Sequence, residues 1–225
     1  MSQEIQRVAV WPPLLRLLHI VMGITMLILI VTGILMHSGM ILNYELFEHL
    51  LHVWHLPAGH VLGIALLIRI IMLFVTQGVS NWKALAPESM QSVIGVAIFY
   101  LSLARNNLPA YFAHNPLWKV FYLLAYILIT IQVMTGLLLE FAWLRSVFRT
   151  DSASALLQHQ SLLEILAVFV MAHIITAILH DWKTDTGEIS AMVNGHKFFT
   201  VEKPSKETVK TASVSLDSLT GSSKK

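Results

Sequence analysis

The stretch His159-Gln160-Ser161-Leu162-Leu163-Glu164-Ile165-Leu166-Ala167-Val168-Phe169-Val170-Met171-Ala172-His173 places two histidines fourteen positions apart in a largely apolar run. At about 100° and 1.5 Å per residue, a helix brings both to within about 40° of one direction and separates them by roughly 21 Å. A hydrocarbon core takes about 20 helical residues to cross, so one spanning helix offers two imidazoles on one face at two depths. Ionisable groups inside a span are costly and usually face a bundle interior to serve a function.

The rest of the chain suits such a bundle. It has 225 residues, 56% hydrophobic and 12% charged, against about a quarter charged in soluble proteins. Four segments are long enough to span: Leu17–Met36, His55–Gln77, Leu117–Leu139 and Ser161–Asp181. Backbone in lipid must satisfy its own hydrogen bonds, and no ten-residue alternation of a barrel is present, so the spans are predicted to be helices. The shorter apolar stretch Met90–Ala104, ending in Arg105-Asn106-Asn107-Leu108-Pro109, reads as an amphipathic helix on the membrane surface. The expected fold is all-α, an integral membrane four-helix bundle over residues 1–199, followed by a disordered Ser/Thr/Lys-rich tail over 200–225.

The sixteen residues before the first apolar run carry Arg7 and Arg16, and the run lacks a secretory cleavage site, so it reads as a retained anchor. The loop 37–54 has no Lys or Arg. By contrast, 79–116 has Lys83 and Arg105, and the C-terminal segment has seven lysines from Lys183 to Lys225. The positive-inside rule then puts both termini on the cytoplasmic side of the inner membrane, with Arg145 and Arg149 as exceptions. A net charge of +2 is too small and dispersed for a nucleic-acid partner. The absence of cysteine removes disulfides, iron–sulfur ligation and covalent c-type haem attachment, leaving histidine, methionine or carboxylate to hold any metal.

Eleven histidines are the large supply. With the N-terminus inside, His19 lies near the inner start of helix 1, His55 and His159 near the outer starts of helices 2 and 4, and His173 near the inner end of helix 4. The depths pair His55 with His159 and His19 with His173. Two bis-histidine haems stacked in the bundle are the simplest object with this geometry. Arg69 follows His55 by the same fourteen residues, level with His19 and His173, and Arg16 is one turn before His19. Either could meet haem propionates, or snorkel to headgroups.

Other readings stay open for the remaining histidines. His49, His52, His55 and His60 crowd together, so His52 could be the ligand or the group could hold a surface divalent ion; His55 is preferred because it starts the span. His60 suits a polar contact within the bundle. His37, His180 and His196 sit at or beyond the surfaces, where solvation is the default. Gly23, Gly33, Gly63 and Gly136 suit close approach of a macrocycle or plain helix contacts. His114, in His114-Asn115-Pro116, is either an interfacial cap or a proton-handling or hydrogen-bonding group for a quinone. A haem-free divalent-metal transporter or histidine-gated channel is the reading from another class.

These residues resemble a known family, the b-type cytochrome subunits of membrane-bound nickel–iron hydrogenases, with formate dehydrogenase and thiosulfate reductase cytochromes b as more distant relatives. The likeness runs from Arg16 to about Phe199. It rests on Arg16-Leu17-Leu18-His19, His55-Leu56-Pro57-Ala58-Gly59, Leu67-Ile68-Arg69-Ile70, His114-Asn115-Pro116, Thr135-Gly136 and the His159–His173 spacing. The stretch Ile189-Ser190-Ala191-Met192-Val193-Asn194-Gly195 favours the hydrogenase branch. The resemblance implies a dihaem electron conduit that anchors the hydrogenase small and large subunits at the outer face and delivers electrons to quinone. His55 and His159 would hold the outer haem b, and His19 and His173 the inner one. The chain departs from the family at Gln158-His159-Gln160-Ser161-Leu162, where Trp-His-Arg-Leu-Gly is usual, and at Glu164.

Overall fold

Backbone amides in hydrocarbon have no water to bond, so long apolar segments close their hydrogen bonds as helices. The computed structural model describes residues 3–39, 43–86, 89–102, 111–184 and 186–202. Among these, four stretches are long and apolar enough to cross a membrane. They are α1 (Pro13–His37), the continuous stretch Tyr44–Val75, α5 (Pro116–Glu140) and α7 (Ser152–Lys183). The chain is thus a multi-pass membrane protein, all-α in its bulk as the sequence indicates. The expected tail beyond Glu202, the Arg105–Pro109 ending and Ala104 lie outside the described residues.

The second span differs from its expected bounds. It comprises α2 (Tyr44–His49), a π-helical turn Leu50–His55 and α3 (Leu56–Val75). It starts before His55 because the Asn43 side chain accepts hydrogen bonds from the amides of Glu45 and Leu46, at 2.9 and 3.3 Å. The π turn leads into Pro57, whose missing N–H and bulky ring disfavour a tight helical turn there. The last span also starts early. Asp151 caps α7 by accepting from the Ser154 amide at 2.8 Å, so His159 sits inside the helix and not at its start.

The four spans form a closed ring in which α1 meets α3, α3 meets α5, α5 meets α7 and α7 meets α1. Their shared core is a mid-depth layer of Met26, Leu62, Leu66, Ala125, Ile129 and Leu166. Leu166, 2% exposed, lies midway between His159 and His173 on the same helical face. The outward faces are lined by exposed apolar residues such as Ile24, Ile64, Ile127 and Val168, as lipid contact requires.

Two strands, not foreseen in the sequence, close one end of the bundle. β1 (Gln3–Ala9) pairs antiparallel with β2 (His196–Glu202), from Gln3↔Glu202 to Ala9↔His196. β2 therefore continues past Phe199 to Glu202. Between α7 and β2 lies α8 (Glu188–Asn194), so Met192-Val193-Asn194-Gly195 has a structural job. The Gly195 carbonyl accepts from the amides of Val10 and Trp11 at 2.8 and 3.1 Å. Gly195 has φ +88°, and a Cβ there would lie 3.1 Å from the Trp11 carbonyl oxygen, so only glycine suits the turn. At this sheet end α4 (Met90–Leu101) buries Val96 and Phe99, so the expected surface helix forms and docks onto the bundle. At the far end α6 (Ala142–Phe148) exposes Trp143, Val147 and Phe148. There Arg145 donates to the carbonyls of Leu138 and Leu139, and Arg149 takes the left-handed cap at φ 51°.

The sheet end is held by a buried ion pair. Lys197, 1% exposed, meets Glu188 at 2.6 Å and donates to the Ala113 carbonyl at 2.9 Å. Burial pushes the Glu188 carboxyl up and the Lys197 ammonium down, and each charge offsets part of the other's cost. Lys197→Met keeps the alkyl stem but strands Glu188. It is expected to destabilise the fold by about 3–5 kcal/mol. Adding Glu188→Gln should recover much of this loss. Thermal melts of the solubilised chain check it, and purely additive losses would contradict it.

Candidate functional site

The ring of helices brings four of the predicted histidines into two pairs. His19 on α1 and His173 on α7 have ring centres 6.1 Å apart, inclined at 60°. His55, on the π turn, and His159 on α7 also have ring centres 6.1 Å apart, inclined at 71°. The first pair lies toward the sheet end and the second toward the far end, with the Leu166 layer between them. The depth pairing read from the sequence is therefore the pairing of the fold.

A metal between two imidazole nitrogens at about 2 Å each, with ring centres about 1 Å further back, sets those centres about 6 Å apart. Both pairs fit this spacing. In the far-end pair, Nδ1 of His55 is 2.7 Å from Thr32 Oγ1, and Nδ1 of His159 is 2.9 Å from Thr135 Oγ1. That leaves Nε2 of each ring for ligation. Glycine makes the close approach possible at His159, since a Cβ at Gly136 would lie 3.3 Å from His159 Cε1; at Gly33 a Cβ would lie 3.7 Å from His55 Cε1, an ordinary contact. These residues fit a bis-histidine haem.

His19 and His173 face a cavity of about 600 Å³, within the usual range of cofactor pockets, roughly 300–1,000 Å³. Its wall includes Ile24 and Ile178, exposed on the lipid-facing side, so it opens between α1 and α7. Arg69 lines the same cavity, level with the sheet-end pair. Although only 2% exposed, it is not free: it donates to Tyr126 Oη at 3.1 Å and to the Ser80 carbonyl at 2.9 Å. Arg16 donates to the Val193 carbonyl and packs beside Gly195, which gives it a role in tying α1 to α8.

The crowded histidines separate into different partners. His52 meets Glu48 at 3.0 Å on the surface, and His60 meets Glu140 at 3.0 Å, the polar contact expected of it. Among the described residues no three His, Asp or Glu side chains group to hold a metal ion. Glu164 is exposed and faces away from the pairs.

His180 corrects the sequence reading. Expected in solvent, it is 2% exposed at the centre of a polar cluster. Tyr100 Oη lies 3.2 Å from its Nδ1, while Tyr111 Oη and Thr186 Oγ1 lie 3.2 and 3.3 Å from its Nε2. Tyr111 also donates to Glu188 at 3.3 Å, and Asn115 donates to Tyr100 at 2.7 Å. The segments carrying Tyr111 and Glu188 are far apart in sequence, so no local spacing could have signalled the cluster. It lines the same cavity as His19 and His173.

His114 also lines this cavity, with its ring 5.0 Å from Trp11 and 6.1 Å from Tyr122. Burial, then the charges of Arg69, Lys119 and Lys197, hold its imidazole down at about 3. The lowering favours the neutral ring, which suits hydrogen bonding.

The sequence over residues 10–195 matches the family model of the prokaryotic cytochrome b561. No curated protein and no solved structure matches the chain.

The low value at His114 has a measurable consequence. Unfolded, the ring takes a proton as pH falls through its ordinary 6.5; folded, it resists until about 3. Stability is therefore lost as pH drops across that window. His114→Phe is expected to flatten the fall in melting temperature between pH 6.5 and 4. Parallel curves for both proteins would contradict this.

Proposed function

The chain belongs to the prokaryotic cytochrome b561 family, multi-pass membrane cytochromes that bind haem b and transfer electrons, and we propose that it is the dihaem anchor passing electrons from a nickel–iron hydrogenase to the quinone pool. The observation that carries this reading is the pair of imidazole couples, each with ring centres 6.1 Å apart, on either side of one apolar layer. Haem b at each couple supplies one-electron carriage, and two depths make a relay across the membrane. His55 and His159 hold the site that receives electrons; His19 and His173 hold the site that delivers them.

The Lys/Arg distribution supports a cytoplasmic sheet end and cytoplasmic termini in the inner membrane. The far end then faces outward and meets the hydrogenase small and large subunits. Quinone reduction belongs at the sheet end. The cavity beside His19 and His173 opens toward lipid, as a lipid-soluble acceptor needs, and carries hydrogen-bonding side chains. His114 and Tyr100 can orient a quinone carbonyl there, and Arg69 supplies positive charge to a propionate or to a reduced oxygen.

Two measurements test this. His173→Ala and His159→Ala are each expected to lose one of two haems, with His173→Ala also blocking quinone reduction; unchanged haem content would refute the pairing. Membranes lacking the chain should lose hydrogen-driven quinone reduction while hydrogen oxidation with an artificial dye persists. Loss of formate-driven reduction instead would keep the conduit and refute the partner.

A further inference from the structure

The far-end histidines are each seated by the same dipeptide on a neighbouring helix. Thr32-Gly33 on α1 faces His55, and Thr135-Gly136 on α5 faces His159. Both threonines are buried, and each has a single hydroxyl proton already committed. Thr32 donates to the Ile28 carbonyl at 2.7 Å, and Thr135 donates to the Gln132 carbonyl at 2.9 Å. Each oxygen must then accept toward its histidine, so the imidazole donates from Nδ1–H. That fixes the tautomer and leaves the Nε2 lone pair free. At Gly136 the missing side chain lets the ring edge approach the helix, since a Cβ there would meet His159 Cε1 at 3.3 Å, whereas Gly33 sits beside His55 at ordinary contact distance. The sheet-end pair is built differently. Nδ1 of His173 is buried and has no hydrogen-bond partner among the described residues, and its ring is instead packed by Trp118, Tyr122 and Phe169.

We propose that Thr32-Gly33 and Thr135-Gly136 are paired clamps, positioning residues that set the tautomer and ring plane of His55 and His159 and make this pair the more electron-donating of the two. The inference rests on the reading that this pair holds a haem. An Nδ1–H that is held by an acceptor raises the basicity of the ligating nitrogen. A more basic imidazole stabilises the ferric over the ferrous state, so the clamps lower the potential of the far-end haem. The two sites thereby differ through the hydrogen bonding of their ligands, although both use two histidines.

The test uses the purified full chain carrying haem, with His173→Ala identifying which signal belongs to the far end. Thr135→Val keeps the side-chain shape and removes the acceptor. The far-end midpoint potential is expected to rise, its low-spin electron paramagnetic resonance signature to shift, and its haem affinity to fall by about 10–100-fold, with the sheet-end signals unmoved. Thr32→Val should act in the same direction on the same haem, and Thr135→Ser should restore potential and affinity. Gly136→Ala should weaken far-end haem retention more than Gly33→Ala. Unchanged far-end potential and spectrum in Thr135→Val at full haem content would overturn the proposal. If Thr135→Val loses that haem entirely, the serine variant decides: restored haem supports the hydroxyl's role, and failure to restore it overturns it. A wild-type chain with no far-end haem would refute the pairing itself, an outcome distinct from failure of the clamps.

Discussion

An imidazole in a hydrocarbon span is costly unless its nitrogens find partners, and at the far end of the bundle this requirement sets the packing. Each unsatisfied polar group in an apolar medium costs several kcal/mol, roughly the effect of a disruptive core mutation. His55 and His159 set Nδ1 against Thr32 and Thr135, which leaves Nε2 of each ring, with the two ring centres 6.1 Å apart. His19 and His173 meet across a cavity. Between the pairs, Leu166 and its neighbours on the other three helices form the apolar layer that keeps the two sites apart.

The two ends then take on different characters. The far end is close-fitting, with glycine at the ring edges and threonine at the ring nitrogens. The sheet end is open, with one largely apolar cavity to which His180, Tyr100, Tyr111 and Glu188 add hydrogen-bonding groups, and the β1–β2 sheet closes that end of the bundle. A close-fitting site suits a carrier that only exchanges electrons. An open, hydrogen-bonding site suits one that meets a diffusing acceptor, and that division agrees with the direction of the proposed relay.

Much of this could be read from residue spacing. Helix geometry links positions fourteen apart, so the interval His159–His173 was enough to place two imidazoles on one face, and His55–Arg69 placed the arginine beside the sheet-end pair. Longer-range features could not be read in this way. β1 and β2 pair residues nearly two hundred positions apart, and their alternation is too short to stand out beside an apolar helix. The π turn before Pro57 and the early start of α7 depend on capping and on backbone accommodation. His180 looked solvated because its depth along α7 was legible, whereas the loops that fold over it were not. The Thr-Gly motif at 135–136 was visible as a likeness, but its partnership with His159 and its repetition at 32–33 need the packed helices.

Two imidazole pairs that each hold a haem make a dihaem chain. Haem-to-protein stoichiometry, taken from the pyridine haemochrome of the purified full chain together with its visible spectrum, tests it most directly. Two low-spin b-type haems per chain are expected. One haem, none, or a high-spin spectrum would contradict the claim.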